Sequence, residues 1–414
     1  MNINSSLDFL FRHEYANLVS ALTNKFSSAQ IDVIEDAVQD ALLKASQVWA
    51  YKEIPQNPSG WLYRAAYNKL IDHFRRNKFT GEESIENLIV NSAVEIDEAE
   101  ISSGISDNLV RMIFACAHPA LKETEQIMLS LKLLIGLNVN EIAAAMLKNY
   151  DGVKKAITRA KTKFKNEVGR LEVPPETELH PRLEVVLKVL YLVFNEGYKS
   201  TGGEQLIKKD ICAEAIRLAF VLYEHEDCST PDLKALMALM YLKSARFDAR
   251  INDNGELVTM EFQNRHLWNR EHIASGLKYL NESAYGKHIS RYHLEAGIES
   301  EYMISESYEK INWKQILMLY NMLLDLQENP VVKLNRIVVL EKIEGAEEAM
   351  TELKQLEESK DIVDNYLFHA IKADLQFKLN DPDCAKESLI KAADLTDNEI
   401  EKRFLQKKLN EIET

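Results

Sequence analysis

The chain has 414 residues, 46% of them hydrophobic and 8% aromatic, which is enough material for two to four helical or mixed domains and too much for one core. Its formal net charge is −15, no run approaches the roughly 18 apolar residues of a membrane helix, and the opening MNINSSLDFLFRHEY lacks a basic stretch ahead of its apolar run. A membrane span and export are therefore not expected, and the chain reads as cytoplasmic.

Residues 7–34 carry two short helical patterns, Leu7, Leu10 and Phe11, then Leu18, Leu22 and Phe26, on one side. From Asp36 the spacing of Ala37, Ala41, Leu42, Ala45 and Val48 predicts a helix whose other faces carry Asp36, Gln39, Asp40 and Lys44. Pro55 and Pro58 break the pattern. Ser59 is a candidate cap for a second helix, which turns Trp61, Leu62, Ala65, Ala66, Leu70, Ile71 and Phe74 inward and ends in Arg75, Arg76, Asn77 and Lys78. One helix offers carboxylates to a protein; the next offers aromatics and arginines to nucleic acid.

The D-A-V-Q-D core (Asp36 to Asp40), the W-L-Y-R-A-A-Y-N run (Trp61 to Asn68) and Arg75-Arg76 resemble region 2 of the sigma-70 family of RNA polymerase initiation factors, in its short extracytoplasmic-function form. The resemblance implies that Asp36, Gln39 and Asp40 dock on the clamp of core RNA polymerase. It also implies that Trp61, Tyr63, Arg64, Asn68, Arg75 and Arg76 open and hold the −10 strand. The bland alternative is an ordinary amphipathic pair with Trp61 and Leu62 in its core.

Thr80 to Asp107 is acidic, serine-containing and free of aromatics, which marks residues 80–108 as a linker, either a solvated tether or a strand for a basic channel on a partner. Residues 109–172 return to helix. Leu109, Ile113 and Phe114 begin one, His118-Pro119 ends it, and Thr124 to Leu134 makes another. A helix, tight turn and helix follow, with Asn140 and Asp151 as expected caps and Ile142, Ala143 and Met146 inward. In the second helix Val153, Ala156, Ile157, Ala160 and Phe164 form the buried stripe, so Lys154, Lys155, Thr158, Arg159, Lys161, Lys163 and Lys165 project outward.

A helix this cationic is a helix-turn-helix candidate for the major groove, its lysines on phosphates and Arg159, Thr158 and Lys155 on base edges; a solvated lysine-rich helix is the plain alternative. Charge supports the footprint. Residues 1–80 carry 9 basic and 8 acidic side chains, residues 81–108 none and 8, residues 109–172 11 and 6, and the remainder 30 and 43, so the basic excess is local. The run ALKETEQIMLSLKLLIGLNVNEIAAAM resembles the lead-in of sigma region 4, which implies that Lys154, Lys155, Thr158, Arg159 and Lys163 serve the −35 element. Lys148-Asn149-Tyr150 stands where that family's turn has glycine and serine or threonine, so base preferences do not carry over.

Val173-Pro174-Pro175 marks a boundary before a 242-residue extension, 173–414. Leu183, Val186, Leu187, Leu190, Tyr191 and Phe194 predict a buried helix stopped by Gly197. Asn195, Glu196 and Tyr198 lie at its end, opposite Asp210, Glu214 and Arg217 of the next helix, and a buried carboxylate needs a partner, so a Glu196–Arg217 pair is expected. Ile251 to Phe262 contains Asn254-Gly255, a two-residue hairpin signal. From about residue 313 helix pairs return, with Ile343, Ala349 and Leu353 repeated 36 residues on as Leu379, Ala385 and Leu389, and a final capping helix from Glu399 to Ile412. The histidines His225, His266, His272, His288 and His293 match no zinc spacing. Cys116, Cys212, Cys228 and Cys384 stand far apart without a C-x-x-C pair, which favours small buried hydrophobes over disulfides or zinc.

The runs L-Y-L-V-F-N-E-G-Y (Leu190 to Tyr198), D-I-C-A-E-A-I-R-L (Asp210 to Leu218), A-L-M-A-L-M (Ala235 to Met240) and P-V-V-K-L-N-R (Pro330 to Arg336) resemble a group of these sigma factors with a tetratricopeptide-like C-terminal domain. The expectation is an all-α protein with two small modules, 1–79 and 109–172, and a large helical extension with at most one small β-hairpin. It would bind core RNA polymerase and promoter DNA, need no metal or cofactor, and take a regulatory protein on the extension, whose acidity could mask the basic helix. The rival readings are a polymerase-independent helix-turn-helix regulator, an enzyme using Glu196 and Glu214 as acid and base, and a pure scaffold.

Overall fold

A computed structural model describes residues 3–76, 98–146, 148–199, 206–286 and 288–413, and among them the regular structure is helical, as the all-α expectation requires. The chain forms two compact units, Met1–Val193 with Ala213–Cys228, and Phe194–Cys212 with Ser229–Thr414.

The first unit opens on α1 (Ile3–Phe26), one long helix where two short ones were expected. α2 (Ile31–Trp49) and α3 (Pro58–Arg76) pack on each other and on α1. Leu22, Phe26, Ile31, Ile34, Leu62, Leu70 and Phe74 are fully buried among them, each worth roughly 1.5–3 kcal/mol of transfer free energy. Ser59 does not cap α3. Pro58 takes the first turn, where its missing N–H is no loss; Asn57 Oδ1 accepts from Gly60 N at 2.9 Å, and Ser59 Oγ donates to Glu14 at 2.7 Å.

The expected linker lies outside the described residues from 80 to 97, and from Glu98 it is already helix: α4 runs Glu98–Cys116 and packs on α1. α5 (Glu123–Leu133), α6 (Val139–Ala145) and α7 (Tyr150–Glu167) complete the second bundle. The caps differ from expectation. Asn138 accepts from Glu141 N at 3.0 Å while Glu141 reaches back to Asn138 N at 2.8 Å, a reciprocal capping box that leaves Asn140 inside the helix. Asn149, not Asp151, caps α7, accepting from Gly152 N at 2.7 Å.

α8 (Glu176–Tyr198) and α9 (Lys209–Tyr223) are divided between the units. Gly197 does not stop α8 but sits in its last turn, where a Cβ would lie 2.7 Å from Cys212 Sγ and 2.9 Å from Cys212 N.

The second unit continues with α10 (Pro231–Ser244), α11 (Arg270–Ser283), α12 (Arg291–Ile304), α13 (Trp313–Leu326), α14 (Pro330–Glu344), α15 (Ala346–Gln355), α16 (Lys360–Val363), α17 (Tyr366–Lys378), α18 (Pro382–Leu395) and α19 (Glu399–Glu413). The 36-residue echo falls on core positions: Ala349 and Leu353, then Ala385 and Leu389, are buried, while Leu379 packs against the cluster of Ala349 and Leu353 and Ile343 against that of Ile316 and Val339. The expected hairpin reduces to a turn with one antiparallel bridge, Ile251 to Leu257, and Gly255 at φ +74°. Among the described residues no strand forms, because Asn252 takes the backbone N–H groups of Asn254 and Glu256 on its own side chain.

Candidate nucleic-acid interface

Along α2 the buried stripe is Ile34, Ala37, Val38, Ala41, Ala45 and Trp49, while Leu42 and Val48 are half-buried. That register leaves Asp36, Gln39 and Asp40 exposed, as expected, and adds Leu43, 58% exposed, one turn further along the same face. An exposed leucine among carboxylates leaves apolar surface open to water. Its period is readable in the sequence, yet a single exposed leucine carries no signal of its own.

On α3, Arg64, Asn68, Arg75 and Arg76 are exposed, with Lys69 and Asp72 beside them. Lys69 pairs with Asp40 at 2.6 Å. Trp61 is half-buried, its ring 5.4 Å from that of Trp49. Tyr63 departs from expectation: it is 5% exposed and stacked on Tyr67 at 6.1 Å, so its ring is a core ring. The ring on offer is Tyr51, 92% exposed in the loop between α2 and α3, which the sequence reading passed over because a tyrosine outside a periodic pattern gives no facing.

α7 presents Lys154, Lys155, Thr158 and Arg159 to solvent. Thr158 Oγ1 donates back to Lys154 O at 2.9 Å, and Lys154 Nζ lies 5.8 Å from the Tyr150 ring. Lys163 is half-buried and donates to Glu125 at 2.7 Å; burial works to raise the Glu125 carboxyl, but the Lys163 bond, the Lys122 backbone N–H and the two lysine charges together outweigh it and hold it below the usual range. Lys161 and Lys165 do not project freely. Lys161 pairs with Asp32 at 3.1 Å and with Glu35, and Lys165 pairs with Asp32. Burial alone would lower Lys161, yet Glu35 and Asp32 raise it, while burial of Asp32 is overridden by Lys165 and Lys161, which lower it. Arg12 to Glu141 at 3.1 Å and Ser28 Oγ to Gly169 O at 2.8 Å join the two bundles further.

The extension motif divides. Glu214 is buried and accepts from Arg217 Nε at 2.7 Å, and Glu196 pairs with Lys208 at 3.4 Å. Each carboxylate meets a cation, the arrangement of structural ion pairs. Asn195 is half-buried. Tyr198 is the focus of a cationic cluster that sequence reasoning missed. Arg246 donates to its hydroxyl at 2.9 Å and to Glu299 at 3.2 Å, and the Arg250 guanidinium lies 3.9 Å from its ring centre. The i, i+4 spacing of Arg246 and Arg250 was the available signal.

Among the described residues no group of three His, Cys, Asp or Glu side chains could hold a metal ion, and no helix is long and apolar enough to cross a membrane. Cys116, Cys212 and Cys228 are buried and Cys384 half-buried, all with free thiols.

Against known families, residues 11–80 match sigma-70 region 2, and residues 182–284 match a family of unknown function, DUF6596. An uncharacterized protein of Rhizobium meliloti (strain 1021) is 31% identical over 387 residues, which covers 92% of this chain and 90% of that protein. No solved structure matches the chain.

Proposed function

The chain belongs to one family with the Rhizobium meliloti protein and carries a sigma-70 region 2 near its N-terminus, and from that premise we propose that it is a cytoplasmic sigma factor of the extracytoplasmic-function type. It binds core RNA polymerase and directs initiation at a subset of promoters. The reaction chemistry belongs to the polymerase.

One observation carries this reading: within the matched residues, two successive helices present opposite chemistries, Asp36, Gln39, Asp40 and Leu43 on α2 and Arg64, Asn68, Arg75 and Arg76 on α3. The first suits a protein surface, the second a phosphate backbone with unpaired bases. Tyr51, rather than Tyr63, supplies the ring that stacks, and half-buried Trp61 positions the loop. Lys154, Lys155, Thr158 and Arg159 on α7 serve the −35 element as a helix-turn-helix, with Lys163 held by Glu125 and available only when that pair opens. The extension acts as a tetratricopeptide-like regulatory domain that takes a partner protein.

The test is transcription from genomic DNA with purified core polymerase. Discrete start sites are expected, reduced by Asp36→Arg with Leu43→Arg at the level of polymerase capture, and by Arg75→Ala with Arg76→Ala at the level of strand opening. A protein that binds duplex DNA yet neither retains core polymerase nor starts transcripts would be the polymerase-independent regulator instead.

A further inference from the structure

The second unit contains a cavity of about 920 Å³, lined by the rings of Phe262, Tyr302, Tyr308, Trp313, Tyr320 and Phe377. That volume lies in the range of roughly 300–1,000 Å³ typical of small-molecule sites. Its walls are faces of α12, α13, α14, α17 and α19, closed on one side by the loop through Gly255. The loop is tied across to α19: Glu256 accepts from Asn252 Nδ2 at 2.8 Å and pairs with Lys407 at 3.3 Å.

Three features specify what fits. Apolar side chains on the walls remain open to water, Phe262 at 76%, Phe377 at 53% and Val338 at 39% exposure, so a guest that covers them removes apolar surface from water. Four of the wall cations are already matched, Lys342 and Lys378 to Glu341 at 3.3 and 2.7 Å, Lys408 to Asp374 at 2.7 Å and Lys407 to Glu256, and Arg403 gives its Nε to the Glu399 carbonyl at 3.3 Å, so a charged guest at any of the four would have to displace an ion pair. The rings stand edge to face, Tyr308 on Trp313 at 5.2 Å and 72° and Tyr302 on Trp313 at 6.0 Å and 65°, which turns both ring edges and ring faces to a planar neighbour. Burial pushes Tyr308 up to about 12 and Tyr302 and Tyr320 further, which keeps all three phenols neutral donors near pH 7.

We propose that this cavity binds a small, uncharged, planar aromatic molecule, held between the rings and entering past the Glu256–Lys407 pair. The site stands on the second unit alone and does not depend on the transcription reading.

The test uses the full chain and the neutral fluorescent probe N-phenyl-1-naphthylamine. Saturable binding at about one probe per chain is expected, weakened at least about tenfold by Val338→Trp, which narrows the cavity between its rings, and by Phe377→Glu, which puts a charge on its wall. Phe220→Ser, an exposed ring in the first unit, should bind as the unchanged protein does. Circular dichroism and melting confirm that each variant is folded, and a folded Phe377→Glu decides the matter if Val338→Trp is not. Unsaturable binding, or equal affinity in a folded cavity variant, overturns the proposal. So does a dimer in the unchanged protein that becomes monomeric in the variants, which would assign the face to a second copy of the chain.

Discussion

Glu35 is 2% exposed, accepts from the Tyr15 hydroxyl at 2.9 Å, pairs with Lys161 and lies 3.8 Å from Lys132. Burial, then the Glu35 charge, pushes the Tyr15 phenol well above its ordinary value, so it remains a donor. A buried carboxylate is stabilising only while its partners stay, and removing one side strands the other. Glu35→Gln should therefore cost about 3 kcal/mol in urea unfolding, with Glu35→Gln/Lys161→Gln recovering more than half; a double variant no better than the single would sink this account. The exposed Asp36, Gln39 and Asp40 were legible because helical period alone places them. Glu35, Tyr63 and Tyr51 were not. Whether a residue at the edge of a stripe is covered depends on what packs there, and Lys161 comes from 126 positions further on. The caps were half legible: Asn138-x-x-Glu141 is a capping-box signature, and the choice of Asn140 overlooked the reciprocal glutamate.

At the scale of elements, Gly197 sets two tendencies against each other. An alanine in the last turn of a helix is ordinarily favoured over glycine by up to about 1 kcal/mol. Here the added Cβ would meet Cys212 Sγ at 2.7 Å, Cys212 N at 2.9 Å and Lys208 O at 3.0 Å, and two of those atoms are backbone at the start of α9. The clash wins, because backbone cannot rotate away as a side chain end does. Gly197→Ala should lower the stability by about 1–3 kcal/mol, whereas Gly169→Ala, with nothing within 4 Å, should leave the melting temperature within a degree or two. A neutral or stabilising Gly197→Ala in thermal melts would refute the close approach. The sequence pointed at Gly197 as a helix stop, since glycine marks both helix ends and tight contacts and composition does not separate them. The hairpin falls short for a related reason: Asn254-Gly255 does make the turn, but Glu256 N is taken by the Asn252 side chain, so pairing stops at Asn252 N to Glu256 O and Val258 N to Arg250 O and does not extend into strands.

For the whole molecule, the helical class was readable, but α1 was expected as two helices, residues 98–108 as linker, α10 to α12 were not picked out, and the grouping of helices into units was not legible. Val173-Pro174-Pro175 looks like an ending because proline stops a helix, yet it does not stop a core. Residues of α8 up to Val193 and of α9 from Ala213 belong to the first unit, where Val186, Val189, Leu190, Val193 and Leu218 line one narrow gap with Ile113, Ala117, Leu134 and Ile135. A chain ended after Glu172 keeps both expected modules but uncovers those side chains, at roughly 1.5–3 kcal/mol for each large one. It should aggregate or melt well below a chain ended after Cys228, as read by gel filtration and differential scanning fluorimetry. Equal solubility and equal melting in the two would mean that α8 and α9 are not part of the first core. This decides how the proposed regulation by the extension is tested, since a loss of the proposed transcription activity after a cut at 172 would report a broken core, and only a cut after 228 would report a missing regulator.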